Sequence, residues 1–142
     1  MKNKLVVVML IMVIAIGGIG ATIFFLLNGS DEANAEKEPT ADEVVEASVE
    51  IPEITTNLKS EGNAVRLVLK IETDSVKAKE ELEKRDFQVK DAVIDILSET
   101  NAEELDGKKG RESFKTKVKN KVNGYLLDGK VKEVYITSFN LQ

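Results

Sequence analysis

The spacing of apolar positions divides the chain into one unbroken block and a patterned remainder. The block is Leu5 to Leu27, LVVVMLIMVIAIGGIGATIFFLL, 23 residues without a charge. As a helix it is about 35 Å long, enough to cross a hydrocarbon core of about 30 Å. Fifteen of the 23 are Val, Ile, Leu or Phe, which favours insertion by about 5–9 kcal/mol as an upper figure. Lys2 and Lys4 flank one end, and Asp31 and Glu32 the other. The positive-inside rule then keeps residues 1–4 in the cytoplasm and puts the rest of the chain outside. A cleaved signal peptide ending at Ala33-Asn34-Ala35 is the alternative, but signal cores run about 7–15 residues and this one is much longer. A lipid-anchored Cys is excluded, because the chain has none. Gly17 with Ala21 and Gly18 with Thr22 are pairs that allow close helix approach, although Gly is simply common in membrane helices.

Residues 28–39, NGSDEANAEKEP, are polar, acidic and aperiodic. They read as a tether with a reach of about 20 Å. From residue 40 the pattern predicts a single α+β domain running to residue 142, with a β-sheet and two main helices. Thr40 followed by Glu43 is a capping box, opening a short helix over 41–47. Residues 48–57 read as extended, with Pro52 at an edge or irregular position. Val65, Leu67, Leu69 and Ile71 alternate with Arg66, Val68, Lys70 and Glu72, a strand buried on one face. Gly62-Asn63 between the two extended segments predicts a hairpin.

Asp74 or Ser75 is positioned to cap the next element. Ala78, Leu82, Val89, Val93, Ile96 and Leu97 share one helical face, which predicts a helix of about 22 residues. Phe114, Val118, Val122 and Leu126 lie four apart and predict a second helix from about 111 to 127, ended by Asp128-Gly129. Lys130 to Leu141 reads as a strand. With strict alternation, Tyr135, Phe139 and Leu141 share one face and Val134 and Ile136 the other. Apolar residues on both faces predict a central strand.

Composition narrows the chemistry. The chain has no Cys, His or Trp. Disulfides are impossible, zinc, haem and blue-copper sites lose their commonest ligands, and Ser-His or Cys-His catalysis is excluded. Neither a phosphate-binding loop nor a metal motif is present, so no cofactor is expected. Glu80, Glu81 and Glu83, and also Glu103 and Glu104, are the available carboxylate clusters. They alternate with Lys and Arg and read as solvated helix faces with pairs such as Glu80–Lys84 and Glu81–Arg85. A non-enzymatic role is expected.

Lys2 and Lys4 are the only charges before Asp31, which leaves 18 basic residues against 25 acidic ones in the remainder. That balance disfavours nucleic acid as a partner. Against it, Lys108 to Lys121 carries seven basic residues and one acidic, Glu112. Arg111, Lys115, Lys117 and Lys121 are candidates for a partner or self-assembly surface, with Lys117 and Lys121 facing the acidic long helix of a neighbouring copy. A solvated face is the plainer account of such a run.

Several landmarks together resemble the FliL family of flagellar basal-body-associated membrane proteins. They are Asn57-Leu58, VRLVLKIETD from Val65 to Asp74, Asn123, and GKVKEVYITSFNLQ from Gly129 to Gln142. The last stretch carries most of the weight, through Gly129, Val131, Val134, Tyr135, Thr137, Phe139 and Gln142. Asn140 departs from the family's apolar preference. The resemblance implies a fold like the stomatin/prohibitin core domain, no enzymatic activity, and self-association into a ring. It further implies partnership with the motor's stator units at the basal body, in support of torque, swimming and chemotactic motility. A general membrane-tethered envelope adaptor is the competing expectation.

Overall fold

The computed structural model describes residues 7–9 and 38–142. Most of the apolar block 5–27 and of the tether 28–39 lies outside the described residues. Among the described residues no helix is long and apolar enough to cross a membrane.

The unit from Pro39 to Gln142 begins with α1 (Ala41–Glu46). The Thr40 hydroxyl accepts from the Glu43 N–H, and the Glu43 carboxylate accepts from the Thr40 N–H at 2.7 Å, completing the expected capping box. Strands β1 (Ser48–Asn57) and β2 (Ala64–Thr73) follow, then helices α2 (Val76–Lys84), α3 (Asp86–Ser98), α4 (Ala102–Leu105) and α5 (Gly107–Asn123). Strand β3 (Val131–Leu141) closes the order. The sheet is antiparallel with order β1-β2-β3. The hairpin between β1 and β2 turns at Gly62, whose φ is +80°, a conformation that Gly adopts at no steric cost.

Strand β2 is therefore the middle strand. Its Val65, Leu67, Leu69 and Ile71 have no exposed surface. On one face of the sheet α3 lies near β1 and α5 near β3, and the two helices touch each other. Val89, Val93, Leu97, Phe114, Val118 and Val122 from these helices fill the core between the layers. The opposite face of the sheet carries Glu50, Arg66, Lys70 and Asn140.

Three expectations are corrected. First, β3 is an edge strand, not a central one. Its register slips twice against β2: Leu69 faces Ile136 while Val68 faces Ser138, and Glu72 faces Glu133 while Thr73 faces Val131. Thr137 and Lys132 are thus extra residues, and each bulge reverses the alternation. Val131, Val134, Ile136, Phe139 and Leu141 consequently all meet the core, while Tyr135 turns to the other face. What reads as two apolar faces is one face interrupted by two bulges. Strand β1 carries a similar irregularity at Pro52 and Glu53, between Ile51 and Ile54.

Second, the long helix is two helices. Arg85, at φ −106° and ψ 18°, separates α2 from α3. The break falls within Glu83-Lys84-Arg85-Asp86, four charged residues that offer the core nothing to hold. The Arg85 N–H bonds the Leu82 carbonyl at 3.0 Å, and Arg85 itself accepts from the Gln88 and Val89 N–H groups. Its side chain pairs with Glu81 at 2.9 Å. The expected Glu81–Arg85 pair is formed, whereas the neighbouring pair is Lys79–Glu83 and not Glu80–Lys84. Ser75, not Asp74, caps α2 through the Ala78 N–H.

Third, α5 begins at Gly107 and ends at Asn123, with Gly124 at the cap. Gly129 lies in the turn before β3 with φ +79°, and Leu126 packs against the core from outside the helix. A Cβ on Gly129 would come within 2.5 Å of Asp74 Oδ1 and 2.8 Å of Ala78 Cβ. Gly129 is therefore fixed both by its backbone conformation and by the start of α2. Gly129→Ala should lower unfolding free energy by about 2–3 kcal/mol in urea titration. Gly62→Ala, at a similar φ but in open space, should lose only about 1 kcal/mol.

Candidate functional site

The basic run of the sequence lies on α5, and the helical period divides it. Arg111, Lys115 and Lys119 are spaced four apart and turn toward β3. The Arg111 guanidinium sits 5.7 Å from the centre of the Phe139 ring, within reach of a cation–π contact. Lys115 pairs with Glu112 at 2.9 Å and approaches Glu133 at 3.8 Å. Lys119 Nζ donates to the Lys132 carbonyl at 2.6 Å. Lys117 and Lys121 turn the other way, into a groove that also holds Asp95 and Ile96 of α3 and Glu99 at its C-terminal cap. The four candidates do not form one patch. Arg111 and Lys115 belong to the β3 side, and Lys117 and Lys121 to the α3 side.

The family-motif positions have structural work that their residue types explain. Asn57 pairs with Ala64 at the end of the hairpin. Leu58 is buried, and its N–H donates to the Asn63 carbonyl at 3.0 Å. Asn123, at the last turn of α5, accepts from the Val131 N–H at 2.7 Å. It thereby satisfies a backbone donor beside the bulge at Lys132 and ties the helix to the start of β3. Val131 and Val134 are buried. Thr137 is the extra residue of the second bulge, and its hydroxyl donates to the Val68 carbonyl at 3.2 Å. Gln142 and Ala64 exchange both backbone hydrogen bonds, at 2.8 and 2.9 Å.

Tyr135 is the motif residue with the least predictable surroundings. Its hydroxyl donates to Glu72 Oε2 at 2.8 Å. Glu72 is a 7% exposed carboxylate that also approaches Lys132 at 3.7 Å. The hydrogen bond to Glu72 pushes the phenol up to about 12, helped by burial and by the charges of Glu72 and Glu133. Nothing in the sequence marks Glu72, which occupies an ordinary polar position of β2. The bulge at Lys132 is what sets Tyr135 diagonally across from it. Glu81, expected to pair with Arg85, has a second partner that the sequence does not indicate. It accepts from the Leu127 N–H as well as from Arg85, joining α2 to the turn after α5.

Glu103 and Glu104 are exposed on α4. Among the described residues no three carboxylates gather where they could hold a metal ion. What the geometry offers is surface: two sheet edges that pair with no further strand among the described residues, and a helix whose basic side chains line one of them. Such features equip a domain to bind other protein surfaces.

Comparison with known proteins gives this class a family. Residues 48–142 match the family described as flagellar basal body-associated protein FliL. The flagellar protein FliL of Bacillus subtilis (strain 168) is 57% identical over 142 residues, covering 100% of both chains. The flagellar protein FliL of Aquifex aeolicus (strain VF5) is 31% identical over 77 residues, 54% of this chain and 48% of that protein. The chain belongs to the FliL family of flagellar basal-body-associated proteins, a family not known for enzymes.

Two predictions follow from these contacts. Asn123→Ala should cost about 1–2 kcal/mol by leaving the Val131 N–H unsatisfied. Asn123→Asp, which keeps the acceptor, should recover most of that loss in the same urea titration. For Tyr135 the folded state holds the phenolic proton more tightly than the unfolded chain, whose phenol titrates near 10. This contribution is complete below pH 10 and is lost as pH rises toward about 12. The urea midpoint should therefore fall more steeply between pH 10 and 12 in the native protein than in Tyr135→Phe.

Proposed function

We propose that this protein is a non-enzymatic accessory of the flagellar motor. It associates with the stator units at the basal body and supports torque, swimming and chemotactic motility. The observation that carries this reading is 57% identity to a flagellar protein over the full length of both chains, with the family's motif residues occupying defined structural positions. In the proposed arrangement residues 5–27 span the cytoplasmic membrane, residues 28–39 tether the domain, and residues 40–142 lie outside. Copies self-associate into a ring around stator components, and the basic residues of α5, Arg111 and Lys115 toward β3 and Lys117 and Lys121 toward α3, contribute contacts. The domain's small size and lack of Cys and His suit a scaffold whose work is done by surface complementarity.

Deletion of the gene should reduce swimming speed and spreading in viscous medium while leaving growth and envelope integrity unchanged. Crosslinking from residues of the outer domain in intact cells should capture stator subunits. Normal motility under load, with crosslinks only to unrelated envelope proteins, would replace this reading with that of a general envelope adaptor.

A further inference from the structure

The two edges of the sheet carry opposite charge. The segment Pro39–Asn57, which forms α1 and the β1 edge, holds Asp42, Glu43, Glu46, Glu50 and Glu53 and no Lys or Arg. Arg66, reaching across from β2 to Glu53 at 3.5 Å, is the cation it meets. The β3 edge is lined by Arg111, Lys115, Lys119, Lys130 and Lys132, with Glu72, Glu112 and Glu133 as partial partners. Both edge strands are antiparallel to β2, so they run in the same direction. A second copy displaced sideways across the sheet therefore brings its acidic β1 beside the basic β3 of the first, with strand sense preserved. The reverse pairings, β1 with β1 or β3 with β3, set like charges against each other.

We propose that copies of this chain associate head to tail through opposite sheet edges, β3 with its α5 flank in one copy against β1 of the next. The inference rests on the self-association proposed above and names the surfaces that form it. A head-to-tail contact of this kind is heterologous, and it produces a ring when the rotation between copies closes. Among the described residues neither edge pairs with a further strand. The contact need not be a full ladder of main-chain hydrogen bonds. Pro52 has no N–H to give, and the bulges at Pro52-Glu53, Lys132 and Thr137 interrupt both edges. Charged side chains then select the partner, and the regular segments between bulges make the close approach.

The register gives a direct test. Thr55 faces Arg66 on β2, and Arg66 faces Asn140 on β3. The three form one row across the solvent side of the sheet, with Thr55 and Asn140 both exposed. In the proposed contact, Asn140 of one copy comes near Thr55 of the next. The native chain has no Cys, so introduced thiols report without background. The full-length chain in its own membrane, carrying both Thr55→Cys and Asn140→Cys, should give a ladder of species larger than dimer with a short bismaleimide. Each single variant should remain uncrosslinked. If either single variant forms dimers, the edges pair with themselves and the proposal is overturned. It is equally overturned if the double variant stays monomeric while an amine-reactive crosslinker still captures oligomers, a result that leaves self-association standing. Capture by neither reagent overturns self-association itself, and the edge contact with it.

Discussion

Leu67 and Leu69, in the middle of β2, are the point on which the rest of the domain rests. Together with Val65 and Ile71 they are fully shielded from solvent. Each such side chain contributes about 1.5–3 kcal/mol through burial. Their strand is also the one that supplies hydrogen bonds to both neighbours. Among the described residues β1 pairs with no strand but β2, and the same is true of β3. The helices α3 and α5 are held by the apolar face that the three strands make together. Small domains have little core to spare, so in this one the sheet edges and helix flanks owe their positions to a single strand.

That strand was legible because nothing interrupts its alternation. Every second residue from Val65 to Ile71 is aliphatic, and the residues between are mostly polar. The capping box at Thr40 and the four-residue spacing of Phe114, Val118 and Val122 were legible for the same reason: local chemistry and local period agree. The period misleads where the backbone slips. A bulge adds one residue without adding a position, so all side chains beyond it change sides in a strictly alternating count. Strand β3 contains two bulges, at Lys132 and Thr137. Tyr135 lies between them, and it therefore counts as sharing a face with Phe139 and Leu141 when it does not. The break at Arg85 is hidden differently. The apolar stripe resumes at Val89 with a spacing that a continuous helix would also give, and the run of four charges before it is as common on helices as at their ends.

The candidate surface shows the same division. As a run of sequence, seven basic residues between Lys108 and Lys121 look like one feature. At about 100° per residue, Arg111, Lys115 and Lys119 must point away from Lys117 and Lys121. The first set is drawn to β3 by Phe139, Glu133 and the Lys132 carbonyl. The second borders the acidic groove of α3. Periodicity alone could have separated them. Their neighbours could not be foreseen, because those depend on where the α5–β3 turn, fixed by Gly129, returns the chain. The pairing of Tyr135 with Glu72 was out of reach for the same reason: it spans 63 residues and exists only because a bulge shifts the register. The family resemblance reached the flagellum from motif order. Several of the positions it rests on hold backbone hydrogen bonds or buried side chains of the domain.

Edges of this kind bear on how the domain avoids the wrong assembly. A free, flat and uncharged edge strand pairs with any other such edge, which is a route to aggregation. Here β1 is interrupted by Pro52 and a bulge and carries carboxylates, while β3 is interrupted twice and bordered by lysines. Each irregularity weakens indiscriminate main-chain pairing. Each charge repels an edge of its own kind. The combination leaves one arrangement in which the charges are complementary and the strand directions agree, and that arrangement joins unlike edges. Exposed charges of this sort act over about 8–10 Å at physiological ionic strength, so their effect is selection during approach more than strength once in contact. Such a contact is weak for an isolated pair of copies. It gains when the copies are confined to one plane at high local density, as a tether to a membrane would do.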